Sequence, residues 1–196
     1  MLFLLITFTI LQLCVCGDQD IQYSRKIVSD TEDDHFAYSL ATSSKRLIIS
    51  APYGDNGNYV LVEPGVKVHA PQGDLFGLHL DVNEHFLVAS GRRPHSVYVF
   101  SSALVPRIPV DGPVKDVKVL DDNTIIIVTY DHLLVYNFDH HSSWERHQRI
   151  VLDGKPRVWS LSVFNDFLAV GYYDNDWSGR VNIYKNINSR NNTSTT

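Results

Sequence analysis

The densest recognition chemistry in the chain is one short stretch, Tyr172-Tyr173-Asp174-Asn175-Asp176-Trp177-Ser178. Tyr and Trp offer wide, stiff apolar surfaces that end in a polar group, so they serve well as anchors for a partner. Asp174 and Asp176 add carboxylates that can accept hydrogen bonds from sugar hydroxyls or hold a cation weakly. Arg92 and Arg93 supply a pair of forked cations that would complement an anionic group. The plainer alternative is that Tyr172 and Trp177 pack on a neighbouring unit while the acids and arginines are merely solvated. A short acidic run, Asp30, Glu32, Asp33 and Asp34, reads as a solvated turn. Asp139-His140-His141 with His147 is the one local histidine cluster, and His with carboxylate can bind zinc. Adjacent loop histidines rarely converge without further ligands, so no metal is assigned. His79 and His85 fall at strand or turn positions.

Reaction chemistry is harder to find. No nucleophile elbow, phosphate-binding glycine loop or zinc-protease motif occurs. Glycoside hydrolysis needs two carboxylates flanking the scissile bond, and nothing in the sequence marks such a pair. Both cysteines, Cys14 and Cys16, lie in an apolar leader, so a processed chain has no thiolate for catalysis or metal binding. The expectation is a chain without catalytic residues or cofactor.

Whatever binds must be positioned by a repeat. Apolar runs starting at Leu47, Leu87, Ile125 and Leu168 recur about every 40 residues. An alternating segment precedes each one: FAYSLAT from Phe36, FGLHLDV from Phe76, VKDVKVL from Val114 and RVWSLSV from Arg157. A polar turn and a third apolar segment follow each one: NYVLV, SVYVF, LLVYNF and RVNIY. A fainter fourth segment precedes the next unit in three cases, around Val66, Ile108 and Ile150. It is missing after Tyr184. Arg25-Lys26-Ile27-Val28 parallels Gln148-Arg149-Ile150-Val151 and would supply it from the N-terminus. The pattern predicts an all-β fold, a β-propeller of about four blades of four antiparallel strands, with the outer strand of the last blade coming from the N-terminal end. The alternative is half of a larger ring, completed by a second copy. In either arrangement the longer loops gather on one face, at 30–35, 52–58, 70–74, 91–95, 130–132, 153–156 and 171–179. Loops on a rigid scaffold are where binding residues concentrate.

Three of the units carry further resemblance. Phe76-Gly77 with the strands after it, Ser50-Ala51-Pro52 with Gly57 beyond, and Gly179-Arg180-Val181-Asn182-Ile183-Tyr184 together resemble the FG-GAP repeat of the integrin α-subunit propeller. The resemblance covers most of the chain but is degenerate, and the third unit keeps only the hydrophobic pattern. It implies a propeller that acts in adhesion or protein binding. The family usually has seven blades, and its calcium-binding repeats carry an Asp/Asn-rich loop between the first two strands. Here the corresponding loops at 42–45, 83–85, 121–123 and 164–166 are too short to supply several oxygen ligands in series. Calcium is therefore not carried over.

Composition sets the remaining bounds. The chain has 196 residues, 44% of them hydrophobic, and a net charge of −5, which suits one globular unit and argues against nucleic acid as a partner. Residues 1–17 read as a secretory signal peptide, with an uncleaved membrane anchor as the rival. Residues 18–186 form the propeller domain and 187–196 a polar tail. That tail carries overlapping glycosylation sequons at Asn191 and Asn192. The expected function is a secreted or envelope-associated binding module. It would recognise a protein or glycan through its long-loop face, using Tyr172, Tyr173, Asp174, Asp176, Trp177, Arg92 and Arg93. It would act as a monomer or as a homodimer completing a ring. The competing functions are a propeller-type glycoside hydrolase and a purely structural envelope or matrix component.

Overall fold

A computed structural model describes residues 25–29, 35–53, 58–69, 75–92, 95–101, 107–138, 143–152, 157–165, 167–173 and 178–185, with the side chains of 157–159 excepted. The leader, the acidic run, Arg93, the 139–142 histidine loop, residues 174–177 and the tail with Asn191 and Asn192 lie outside the described residues.

The strands fall into four consecutive antiparallel meanders. Blade 1 holds β1 (Leu40–Thr42), β2 (Leu47–Ala51), β3 (Tyr59–Val62) and β4 (Val66–His69). Blade 2 holds β5 (Leu80–Val82), β6 (Leu87–Arg92), β7 (His95–Phe100) and β8 (Ile108–Pro109). Blade 3 holds β9 (Asp116–Asp121), β10 (Thr124–Val128), β11 (His132–Phe138) and β12 (Trp144–Val151). Blade 4 holds β13 (Arg157–Phe164), β14 (Phe167–Tyr173) and β15 (Gly179–Lys185). In each blade the second and third strands carry the apolar runs of the repeat.

In blades 2 and 3 those runs are buried throughout because the blades are covered on both faces. Successive side chains of a strand point to opposite faces. In β10, Ile125 and Ile127 enter the core shared with blade 2, beside Val88, Val97 and Val99. Ile126 and Val128 enter the core shared with blade 4, beside Leu161, Leu168 and Val170. A third core joins blades 1 and 2 through Ile48, Val60, Phe76, Leu80, Leu87 and Tyr98. Each fully buried Ile or Leu in these layers contributes about 1.5–3 kcal/mol. Sheets stacked face to face in chain order are the architecture of a β-propeller.

The expected outer strand of blade 4 is corrected in one respect. Residues 25–29 form no strand, and two contacts tie them to blade 1. The Arg25 guanidinium pairs with Glu63 at 2.9 Å, and the Ser29 and Tyr59 hydroxyls share a hydrogen bond at 3.4 Å. An ion pair to Glu63, just after β3, and a hydroxyl pair to Tyr59 of β3 hold this segment where a ladder to β15 would have been needed. The face of blade 4 turned away from blade 3 leaves Phe164 73% and Ile183 66% exposed.

Small side chains set the close approaches. The Ser50 hydroxyl accepts the Ser39 N–H at 2.9 Å, and the Ser90 hydroxyl accepts the His79 N–H at 3.0 Å, so a buried serine of the second strand fastens the start of the first. Blade 4 reverses the roles, because the Ser160 hydroxyl fills the space a Cβ on Gly171 would need. Gly77 has φ +87°, and a Cβ there would lie 2.8 Å from the Ser50 Cβ of blade 1. Ala37, its counterpart in blade 1, holds φ 64°. A left-handed backbone costs a residue with a Cβ about 1–2 kcal/mol. Gly77→Ala is therefore expected to lower stability by about 2 kcal/mol or more, while Ala37→Gly changes it by less than about 1 kcal/mol. Urea midpoints of the two variants test this, and equal small shifts would show that Gly77 does not set the blade spacing.

Candidate ligand-binding site

The first strands of blades 1 to 3 begin, and their second strands end, around one cavity of about 470 Å³. This is the long-loop face. Blade 1 contributes Tyr38 and Tyr53, whose ring centroids lie 5.9 Å apart, with the His35 ring tilted against Tyr53 at 4.6 Å. Blade 2 contributes Leu78 and His79 ahead of β5, Gly91 and Arg92 at the end of β6, and His95 opposite Arg92 at the start of β7. Blade 3 contributes Pro113, Val114 and Lys115 ahead of β9, and Tyr130 after β10. The Lys115 ammonium lies 3.8 Å from the Tyr130 ring centroid, a cation–π contact. The Lys115 backbone N–H is fixed to the Val128 carbonyl at 2.7 Å, so that cation stands on a rigid strand end.

The described wall of the cup carries Arg92 and Lys115 and no carboxylate. His79 is pushed down from 6.5 to about 4, first by burial and then by the fields of Lys115 and Lys118. His79 is thus neutral at pH 7. His95 Nδ1 is buried and has no hydrogen-bond partner among the described residues.

The expected site residues separate. Arg92 lines the cup. Tyr172 is buried in the core between blades 3 and 4, and its hydroxyl donates to Asn182 Oδ1 at 2.9 Å. Its expected role as a surface anchor gives way to a packing role, because Leu168, Val170 and Tyr172 share one face of β14. Tyr173 points to the other face and lines a second cavity of about 550 Å³ on blade 4, with Ser160, Gly171, Arg180 and Val181. Asp174, Asp176, Trp177 and Arg93 lie outside the described residues.

Sequence reasoning missed Tyr38, Tyr53, His79, His95, Lys115 and Tyr130. A signal was present, since Arg92, Tyr130 and Tyr173 occupy the same place in successive repeats, at the end of the second strand or just past it. It also missed two inner-strand carboxylates. Burial raises the pKa of Asp81 and of Asp116. Asp81 lies 3.8 Å from Lys118 and accepts the Val119 N–H of the next blade at 2.7 Å. Asp116 accepts its neighbour's N–H, from Val117, at 2.8 Å. Among the described residues no group of three or more His, Cys, Asp or Glu converges to hold a metal.

No protein-family model matches the sequence, and no curated protein is similar to it in sequence. Solved structures do share the fold. KlHsv2 with loop 6CD replaced by a Gly-Ser linker superposes with a TM-score of 0.52 and 13% identity over 77% of this chain. Kluyveromyces lactis Hsv2 with a complete loop 6CD aligns at 0.49 and 12% identity over 75% of it. The chain spans about half the length of these proteins, 48% and 49% respectively. At such identities the likeness concerns fold alone, and the fold is that of a β-propeller.

The lowered pKa of His79 gives a pH dependence with a definite sign. Between pH 6.5 and about 4 the unfolded chain holds a proton on this histidine that the folded chain refuses. The stability linked to neutral His79 is complete above pH 6.5 and declines as pH falls towards 4. Asp81 and Asp116, raised by burial, act with the opposite sign at the acid end of that window. The urea midpoint is expected to drop from pH 7 to pH 5 in the parent chain and to drop less in His79→Gln. Parallel declines in both chains would locate the sensitivity elsewhere.

Proposed function

We propose that this protein is a secreted, non-catalytic binding module that recognises a protein or glycan through its long-loop face, with the cup between blades 1, 2 and 3 at the centre. One observation carries the proposal. Aromatic and cationic side chains from three separate repeats converge on a single concave site of small-molecule size. The resemblance to FG-GAP repeats supports an adhesive role. The apolar leader and the sequons at Asn191 and Asn192 support secretion and glycosylation. Mass spectrometry of the expressed protein is expected to find an N-terminus near Gly17 and glycan on the tail. An intact N-terminus at Met1 without glycan would count against secretion.

The binding test is a glycan array and defined-ligand binding with the purified chain. Tyr53→Ala combined with Tyr130→Ala is expected to weaken binding by about 30-fold or more, the scale of an interface anchor, with the urea midpoint little changed. Loss through Tyr173→Ala alone would move the site to the blade 4 cavity. A second reading, a glycoside hydrolase, has one observation in its favour, the raised pKa of Asp81 and Asp116. Both carboxylates are occupied by backbone N–H donors, so we give them a structural role. Turnover of a glycoside substrate that disappears in Asp81→Asn would reverse that assignment.

A further inference from the structure

We propose that the exposed face of blade 4 is an interaction surface for a second copy of this chain, the two blade 4 sheets packing front to front about a two-fold axis. The repeat supplies the first observation. Val60, Val97, Leu133 and Val181 hold one position, each paired across the ladder with the fourth residue of its second-strand run, Ser50, Ser90, Val128 and Gly171. Val62, Val99, Val135 and Ile183 hold another, paired with Ile48, Val88, Ile126 and Ala169. In blades 1, 2 and 3 these residues pack in the core shared with the following blade. In blade 4 both positions are still apolar, yet Val181 is 64% and Ile183 66% exposed. Blade 4 thus keeps the docking residues of an inner blade. Such a face fits another sheet face, at the spacing of about 10 Å that stacked sheets adopt.

The opposite end of the stack indicates which sheet. A head-to-tail assembly needs the rear of blade 1. There Ile49, Ala51 and Tyr59 are already buried. Residues 25–29 are tied along β3 by the Arg25–Glu63 ion pair at 2.9 Å and the Ser29–Tyr59 hydroxyl pair at 3.4 Å. The relief of the blade 4 face matches itself instead. At one end stand Phe164 and Phe167, neighbours across the ladder, with Phe164 73% exposed. Towards the other end Ser160, Gly171 and Gly179 line the hollow of about 550 Å³. Ala169 and Ile183 lie between. A two-fold axis in the interface, crossing the strands at Ala169 and Ile183, sets the phenylalanine ridge of each copy over the hollow of the other. It also sets Ile183 against the partner's Ile183. Lys185 stands beside the ridge, its ammonium 5.1 Å from the Phe167 ring centroid, so the two lysines of a pair lie at opposite ends. An isologous contact uses one patch twice and closes at two chains. A three-stranded face is small for an interface, so association depends on concentration. The cup of blades 1 to 3 shares no lining residue with the blade 4 hollow, so the pair carries two cups.

Sedimentation velocity of the purified chain over a concentration series tests the proposal. The mass is expected to rise from one chain to two and to stop there. Ile183→Lys and Ile183→Glu each set a charge against its own copy and are each expected to weaken association by about tenfold or more. Mixing the two variants is expected to restore it, because lysine then meets glutamate. Nothing lies within 4 Å of a Cβ built on Gly179, so Gly179→Phe is tolerated within one chain but fills the hollow, and loss of the two-chain species is expected. Urea midpoints of the variants at low concentration, unchanged from the parent, tie these losses to the contact itself. A single-chain mass at every concentration would overturn the proposal. Undiminished association in both Ile183 variants would overturn the assignment to this face. Masses climbing beyond two chains, or Ile183 variants that stay apart on mixing, would overturn the front-to-front arrangement.

Discussion

Every side chain of β10 from Ile125 to Val128 is fully buried, and alternate ones enter different cores. That double-sided burial is the constraint on which the architecture depends. A sheet whose middle strands are apolar on both faces cannot be covered by one partner layer, so it must be sandwiched between two others. The same sequence grammar in the next repeat makes the neighbour equally two-faced, and the stacking is carried from one blade to the next. The propeller is thus a consequence of where Ile, Val and Leu recur, with turns serving mainly to reverse the chain between them.

Stacking of this kind leaves two end faces, and the chain treats them differently. On blade 1, Ile49, Ala51 and Tyr59 are buried, and residues 25–29 lie against the same blade through Glu63 and Tyr59. On blade 4, Val181 and Ile183 of β15 stay exposed, as does Phe164 of β13. Polar ties fix the angle between neighbouring blades at the inner edge. Asp81 accepts the Val119 N–H, Asn83 donates to the Asp121 carbonyl at 3.4 Å, and Glu84 takes both the Ser44 hydroxyl and, at 2.9 Å, the Lys45 ammonium. Each of these bonds joins residues about one repeat apart. They hold the loops of three blades in a fixed relation, which lets side chains from different repeats share one cup.

The sequence made the inner strands legible because double-sided burial writes itself as short unbroken apolar runs at a constant interval. Outer strands carry no such message. β4 and β12 are mostly exposed, so Val66–His69 and Trp144–Val151 look like polar loop as much as strand. The parallel drawn between Arg25–Val28 and Gln148–Val151 rested on that weak signal, and Arg25 and Ser29 instead reach Glu63 and Tyr59 of blade 1. The site was legible only in part for a related reason. Tyr172 and Tyr173 stand side by side in the chain, but a strand sends one to each face, and the alternation Leu168, Val170, Tyr172 assigns the first to the core. The cup is assembled one or two residues at a time from positions about a repeat apart, so no single stretch of sequence displays it. Arg92 was visible because arginine pairs stand out, whereas Lys115 and Tyr130 become a unit only when β9 and β10 pair.

The charge of the cup follows from the same geometry. Inner strands of adjacent blades run side by side, so acids and bases that are distant in sequence are forced to settle against one another. Along β5 and β9, Asp81 meets Lys118 at 3.8 Å and the backbone of Val119, and its charge is spent inside the structure. Lys115 stands three residues before Lys118, at the mouth of the cup, where the described neighbours are Tyr130 and the neutral His79 and no described carboxylate lines the wall. The strand pairing that sets Lys115 beside Tyr130 also places both in one cup with Tyr38 and Tyr53 of blade 1, so a single site draws its aromatic and cationic groups from separate repeats.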